Sequence, residues 1–325
     1  MKVLLVDPID PSGVALLREK AEVVMCREAS FEGIRRDAMD ADAVITRSRL
    51  PDDLFESATG IRAVTIHGTG LDLVPLKAAS ERGIAVANVP GGNAQSVAEY
   101  CVAAMLMLAR NLYEITTALH GLPWDEARKL GAKAHEMTGM TVGVVGVGEI
   151  GRRVARICRQ GFGMRVLGNQ RRLDAIGPDA EPASLDKLVG ESDFLVLTCP
   201  LTPQTHHLFD RGRIATMKST AWLINVGRGA VVEEAALVEA LREKRIAGAM
   251  LDVYEHYRLE PGHPLLSLDN AVLTPHVAGT TQESRRHMAA AAAEATLRML
   301  AGERPRNLVN PEAWGGFLER RSRDR

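Results

Sequence analysis

The sequence predicts an α/β protein with a doubly wound parallel sheet and a second, smaller domain. Three observations carry that prediction. Short apolar runs alternate with helical patterns from the first residues, a long helical pattern occupies the stretch after Asn93, and a second alternating series opens at Thr141. At about 100–200 residues per domain, 325 residues suggest two domains, each able to bury its own core.

In chain order, Val3–Val6, Ala43–Thr46, Ala63–Ile66 and Ile84–Val86 read as buried strands with helix-like stretches between them. A helix then begins near Asn93, with Val97, Cys101, Ala104, Met105, Leu108 and Leu112 on one face and nothing to break it before Asn111. Past a polar stretch containing Pro123 and Trp124, strands are expected at Thr141–Gly146, Arg165–Leu167, Phe194–Leu197, Ala221–Asn225 and Ala247–Leu251, and around Val272. A last strong helix runs from Gln282 to Leu300 and stops at Gly302. Beyond Glu303 the periodicity is lost, so the basic end Arg320-Arg321-Ser322-Arg323 reads as a frayed, solvated terminus and not a nucleic-acid tail.

Composition narrows the partners. With 40 Lys+Arg against 41 Asp+Glu, the net charge of -1 supplies no bulk field for nucleic acid or an anionic membrane. The N-terminus reaches Asp7 too soon for a secretory signal, and no apolar run approaches the ~18 residues of a membrane span, so a cytoplasmic protein is expected. Cys26, Cys101, Cys158 and Cys199 lie far apart without metal-ligand spacing, which points to reduced core thiols and no metal.

Gly146-Val147-Gly148-Glu149-Ile150-Gly151 follows an apolar strand and opens a helix, the context that a dinucleotide fingerprint requires. The first glycine permits the tight turn, the second lets a pyrophosphate approach the backbone, and the third lets the helix pack closely on the strand. Where an NAD site places a carboxylate for the ribose, about 20 residues on, this chain has Asn169-Gln170-Arg171-Arg172. A neutral residue followed by two guanidinium groups suits a 2′-phosphate, so NADP(H) is the expected cofactor, with NAD the second choice.

Three more segments follow expected strands: Asn225-Val226-Gly227-Arg228-Gly229, Leu251-Asp252-Val253-Tyr254-Glu255 and Thr274-Pro275-His276-Val277-Ala278-Gly279. Arg228, Asp252 and His276 should therefore gather at the carboxyl edge of the sheet. With the fingerprint, with Arg47-Ser48-Arg49 and with Gly68-Thr69-Gly70-Leu71-Asp72, these ordered motifs resemble the D-isomer-specific 2-hydroxyacid dehydrogenases over nearly the whole chain.

That resemblance implies a doubly wound Rossmann domain, residues 94–282, inserted into a flavodoxin-like substrate domain made of residues 1–93 and 283–325, with the active site in the cleft. It implies that Arg228 holds the substrate carboxylate and polarises its carbonyl, and that His276 supplies the proton. His67, Gly68, Thr69 and Gly70 would form a substrate loop, with Arg47 able to reach a second anionic group. Cys199 and Pro200 would line the nicotinamide side, and Thr205, Val226, Gly227, Asp252 and Gly279 would also face the cofactor. A homodimer is implied as well, with Trp124 resembling an aromatic of the dimer arm.

One position departs from the family pattern. The family pairs its catalytic histidine with a glutamate five residues after the aspartate matching Asp252, and here that position is Tyr257. A phenol can orient an imidazole by hydrogen bonding but adds no charge. Tyr257 could be the orienting group, Glu255 or Glu260 could swing in, or catalysis could be weakened. His276 is expected to be less readily protonated than in relatives, with reduction favoured toward acid pH. His120, His135, His206 and His207 read as surface or capping residues.

The expected function is reduction of a small 2-keto acid such as glyoxylate or hydroxypyruvate by NADP(H). The alternatives are a corepressor-like nucleotide sensor on the same fold, and oxidation of formate or phosphite.

Overall fold

The computed structural model describes residues 1–323, which form two compact units: Met1–Asn93 with the segment from Thr280 onward, and Ala94–Gly279. The second boundary lies at Gly279–Thr280 instead of 282–283, because the turn capped by Thr281 belongs with the long helix that follows it.

The first unit holds β1 (Lys2–Leu5), β2 (Glu22–Met25), β3 (Ala43–Thr46), β4 (Ala63–Ile66) and β5 (Ala85–Asn88). They pair in parallel in the order β2-β1-β3-β4-β5. Central strands β3 and β4 are buried along their whole length, hence their unbroken apolar runs. β2 was not expected; it is an edge strand, and its short run Val23-Val24-Met25 is only partly buried.

The second unit holds β6 (Thr141–Val145), β7 (Arg165–Asn169), β8 (Glu181–Pro182), β9 (Phe194–Leu197), β10 (Trp222–Asn225), β11 (Gly248–Leu251) and β12 (Ala271–Leu273). The order is β12-β11-β10-β9-β6-β7-β8, again parallel. The strand order reverses at β6 and β9, and in such sheets ligands bind beyond the carboxyl ends at that switch point.

Two expectations about helices fail. The long helix is two helices, Ala94–Ala109 and Leu112–Leu119, broken by Asn111 in a left-handed conformation at φ 52°. Asparagine tolerates that conformation better than most residues. Val97, Cys101, Ala104 and Met105 are buried as expected, but Leu112 is 48% exposed and no residue of Leu112–Leu119 is buried.

The C-terminal stretch is not frayed within the described residues. A helix Trp314–Arg323 packs Phe317, 1% exposed, into the first unit, and Trp314 stacks on Phe317 with centroids 4.7 Å apart. Arg320 donates to the carbonyls of Arg82 at 2.8 Å and Thr59 at 2.6 Å. These anchors, two aromatics and one arginine, are too few to make a periodic signal. Asp324 and Arg325 lie outside the described residues.

Among the described residues no helix is long and apolar enough to cross a membrane. All four cysteines are free; Cys101, Cys158 and Cys199 are buried and Cys26 is partly exposed.

Candidate active site

The carboxyl end of β6 runs into Gly146, whose φ of 95° suits glycine. A Cβ there would lie 2.6 Å from the Cys199 nitrogen. At Gly151 a Cβ would lie 2.3 Å from the Gly146 carbonyl oxygen, so this glycine lets the helix Glu149–Phe162 rest on the strand end. Gly148 differs: no atom lies within 4 Å of its would-be Cβ. The protein's own packing does not demand glycine there, and the open space leaves the backbone approachable, as a dinucleotide pyrophosphate requires.

The first backbone bond of that helix runs from the Arg152 N–H to the Gly148 carbonyl at 2.9 Å. The N–H groups of Glu149, Ile150 and Gly151 precede it and carry the positive end of the helix dipole. The Glu149 carboxylate is engaged by Arg153 at 2.8 Å and Arg152 at 3.3 Å, and the Arg153 hydrogen bond holds its pKa below the usual value.

At the end of β7, Asn169 donates through Nδ2 to the Ala183 carbonyl at 2.8 Å, and Gln170 donates to the Arg172 carbonyl at 3.0 Å. Arg172 pairs with Asp174 at 3.3 Å. Arg171 is exposed and has no carboxylate partner among the described residues. Of the four residues expected near the ribose, Arg171 is the one whose side chain makes no competing contact.

Beyond β9, burial pushes the Cys199 thiol up to about 11, which keeps it an unreactive packing group. Thr205 is tied to its own turn: its hydroxyl donates to the Pro200 carbonyl at 2.6 Å and accepts from the Thr202 N–H at 2.8 Å. It shapes the Pro200 turn and does not present a free hydroxyl.

β10 delivers Arg228. Buried Asn225 accepts from the Gly227 N–H at 3.1 Å and donates to the Arg228 carbonyl at 3.0 Å, bending the chain through Val226 and Gly227. Arg228 is extended, φ −138° and ψ 142°, with Nη1 donating to the Gly227 carbonyl at 3.0 Å.

β11 and β12 deliver Asp252 and His276. Asp252 is 1% exposed and organises the next loop. One carboxylate oxygen accepts from the Thr274 hydroxyl at 2.6 Å and the Val277 N–H at 2.8 Å, and the other accepts from the Ala278 N–H at 2.8 Å, just before Gly279. The His276 N–H donates to the Asp252 carbonyl at 2.9 Å. These bonds hold His276 at φ 57°, a costly conformation for a residue with a Cβ. Sequence reasoning missed two more supports. The Tyr254 hydroxyl donates to the Thr274 carbonyl at 2.8 Å, and the Tyr100 hydroxyl lies 2.5 Å from the Thr274 hydroxyl. Burial pushes both phenols up, Tyr254 to about 12.

Tyr257 does reach His276, but not by a hydrogen bond. The rings meet edge to face, centroids 6.1 Å apart at 69°, and the phenol has no hydrogen-bond partner among the described residues. Tyr257 is 62% exposed and also left-handed, at φ 67°. Glu255 lies 2.7 Å from the Nε2 of His207, so His207 is no simple surface residue.

In the first unit, β3 and β4 end in the other candidates. Asp7 accepts from the Arg47 and Ser48 N–H groups at 2.6 and 2.8 Å. The His67 N–H donates to the Thr46 carbonyl at 2.8 Å. Its ring is 4% exposed with neither nitrogen hydrogen-bonded. Burial, then the Arg47 charge, pushes its pKa down to about 4, leaving a neutral imidazole. The carbonyls of Gly68 and Thr69 accept from Val89 and Asn88 at 2.9 and 3.0 Å. Their bonds fix the loop through Gly70 by its oxygens, leaving its N–H groups for other partners.

Residues 102–278, more than half of the chain, match the model of the D-isomer specific 2-hydroxyacid dehydrogenase, NAD binding domain. A glyoxylate reductase of Aeropyrum pernix is 40% identical over 294 residues, which is 87% of each chain. A D-3-phosphoglycerate dehydrogenase of Methanocaldococcus jannaschii is 35% identical over 319 residues, 95% of this chain and 59% of that protein. Among solved structures, an NADPH-dependent glyoxylate/hydroxypyruvate reductase of Sinorhizobium meliloti, in complex with NADP and malonate, is 28% identical with a TM-score of 0.83, over 96% of this chain and 97% of that one. These enzyme names lend no support to the corepressor-like alternative.

Proposed function

The chain belongs to the D-isomer-specific 2-hydroxyacid dehydrogenase family, and from that premise we propose that it reduces small 2-keto acids such as glyoxylate or hydroxypyruvate with NADP(H). One observation carries this reading. The Gly148 turn, Arg228 and the His276 turn all lie at the carboxyl ends of strands of one parallel sheet, which brings an anion cradle, a guanidinium and an imidazole to a common edge.

The open Gly148 backbone and the helix amides after it fit a dinucleotide pyrophosphate; the bound nicotinamide supplies the hydride. The Arg228 guanidinium fork suits a carboxylate and opposes the negative charge that develops on the carbonyl oxygen. His276, as imidazolium, delivers a proton to that oxygen. The edge of Tyr257 limits how its ring turns without adding charge. His67, the amides of Gly68, Thr69 and Gly70, and Arg47 are proposed as further substrate contacts.

NADP(H) is preferred over NAD(H) in this reading because exposed Arg171 lacks a competing carboxylate and Asn169 stands where a repelling acid would be. A cytoplasmic homodimer completes it. Leu112, Tyr113, Leu119, Leu122 and Trp124 are 48–67% exposed, an apolar surface that a second copy would cover.

The test is NADPH consumption across glyoxylate, hydroxypyruvate, pyruvate and phenylpyruvate, repeated with NADH. Turnover of the small acids with saturation at lower NADPH than NADH is expected; turnover of none, or a preference for NADH, contradicts the corresponding part of the proposal.

A further inference from the structure

Four segments of the second unit are joined by a chain of two histidines and two glutamates that the proposed chemistry does not use. His207 Nε2 lies 2.7 Å from Glu255 Oε1, and His263 Nε2 lies 3.0 Å from Glu234 Oε1. Between them the glutamates interlock. The Glu255 N–H donates to Glu234 Oε2 at 3.1 Å, and the Glu234 N–H donates to Glu255 Oε2 at 3.3 Å. The side chains are only 13% (Glu234) and 23% (Glu255) exposed. Each partly buried carboxylate thus has a backbone N–H donor from the other glutamate and a histidine nitrogen within hydrogen-bond distance.

The location gives the chain its meaning. Glu234 starts the helix Glu234–Arg242, shortly after Arg228, and Glu255 lies between Asp252 and Tyr257. At Gly229, beside Arg228, a Cβ would lie 1.9 Å from the Tyr254 carbonyl carbon and 2.4 Å from the Glu255 nitrogen. On the other side, the His207 and Phe209 N–H groups donate to the Ala230 and Val231 carbonyls at 2.8 and 3.0 Å. The Arg228 turn is thus gripped between 207–209 and 254–255, and the carboxylate–imidazole chain clasps both seams.

We propose that His207, Glu255, Glu234 and His263 are positioning residues. They hold the backbone of the Arg228 turn against the loop that carries Tyr257, and so fix where the guanidinium meets substrate. The proposal rests on the reading of Arg228 as the group that holds the keto-acid carboxylate.

The experiment measures kcat and KM for glyoxylate, NADPH affinity by fluorescence, and amide hydrogen exchange in the purified enzyme. His207→Ala should raise KM for glyoxylate about tenfold to a hundredfold, the scale on which a small misplacement acts. NADPH affinity should stay within about twofold, since the Gly148 turn lies outside the clasp. Exchange should rise across 226–234 and stay unchanged across 142–151. His207→Gln, whose amide can still donate to Glu255, should restore most of the KM, and Glu255→Gln serves if the alanine variant does not fold. Unmoved KM and unmoved local exchange, with only a lower melting temperature, overturn the proposal. A wild type inactive on every keto acid contradicts the functional reading alone, and the exchange pattern then decides for or against the clasp.

Discussion

The Gly146–Gly151 turn and the Asp252–His276 turn sit at the same edge of one sheet, yet their bends are enforced by opposite means. The first is shaped by what is missing: no Cβ at Gly146, where φ is 95°, and none at Gly151, where one would meet the Gly146 carbonyl at 2.3 Å. The second is shaped by what is added, since Asp252, Tyr254, Tyr100 and Thr274 together hold a residue with a full side chain at φ 57°. Absence of side chains leaves the backbone of the first turn open; a surplus of polar supports fixes the backbone of the second. In the proposed function the first turn binds the anion and the second carries the group that delivers the proton.

The largest effect that would sharpen it comes from His276→Gln. It should lower kcat for keto-acid reduction by about 10²–10⁴-fold, the usual contribution of a positioned acid, while NADPH affinity is kept. Loss of NADPH binding in that variant would break the division of labour. Next comes the contrast within the glycine turn: Gly148→Ala should fold with an unchanged melting temperature and weaken NADPH by roughly tenfold or more, whereas Gly146→Ala should lower the melting temperature itself. Unchanged NADPH affinity in Gly148→Ala would show that the open space at Gly148 is not a ligand's space.

Smaller still is the effect of Tyr257→Glu. A carboxylate beside His276 favours the imidazolium, so the pKa rises and the acid-side plateau of the reduction rate should extend to higher pH. An unmoved pH–rate profile would show that the position no longer governs the histidine. The mildest change should be Arg171→Ala, which removes one charge-assisted contact and should cut the NADPH-over-NADH preference by roughly tenfold, read from the two kcat/KM values.

The same contrast explains what was legible in the sequence. Glycine at Gly146, Gly148 and Gly151 has few reasons to be there, and all act within one short segment, so the motif can be read directly. The central strands were equally plain because burial on both faces leaves apolar runs. Asp252 was visible only as a motif letter, and its burial and its bonds to the Thr274–Ala278 turn depend on neighbouring β11 and β12, which no local pattern encodes. Asn111 was legible as the first place the helix could break, but Leu112 continues the apolar spacing into a helix that buries nothing, so its exposure was not. For Tyr257 the sequence left three explanations open, and what the fold adds is a ring contact with His276 that no sequence pattern encodes.

The most direct test of the account uses NADPH fully deuterated at C4 of the nicotinamide, with hydroxypyruvate as acceptor and the product read by NMR and chiral chromatography. The account predicts deuterium on C2 of D-glycerate. A product without deuterium at C2, or of the L configuration, would contradict it.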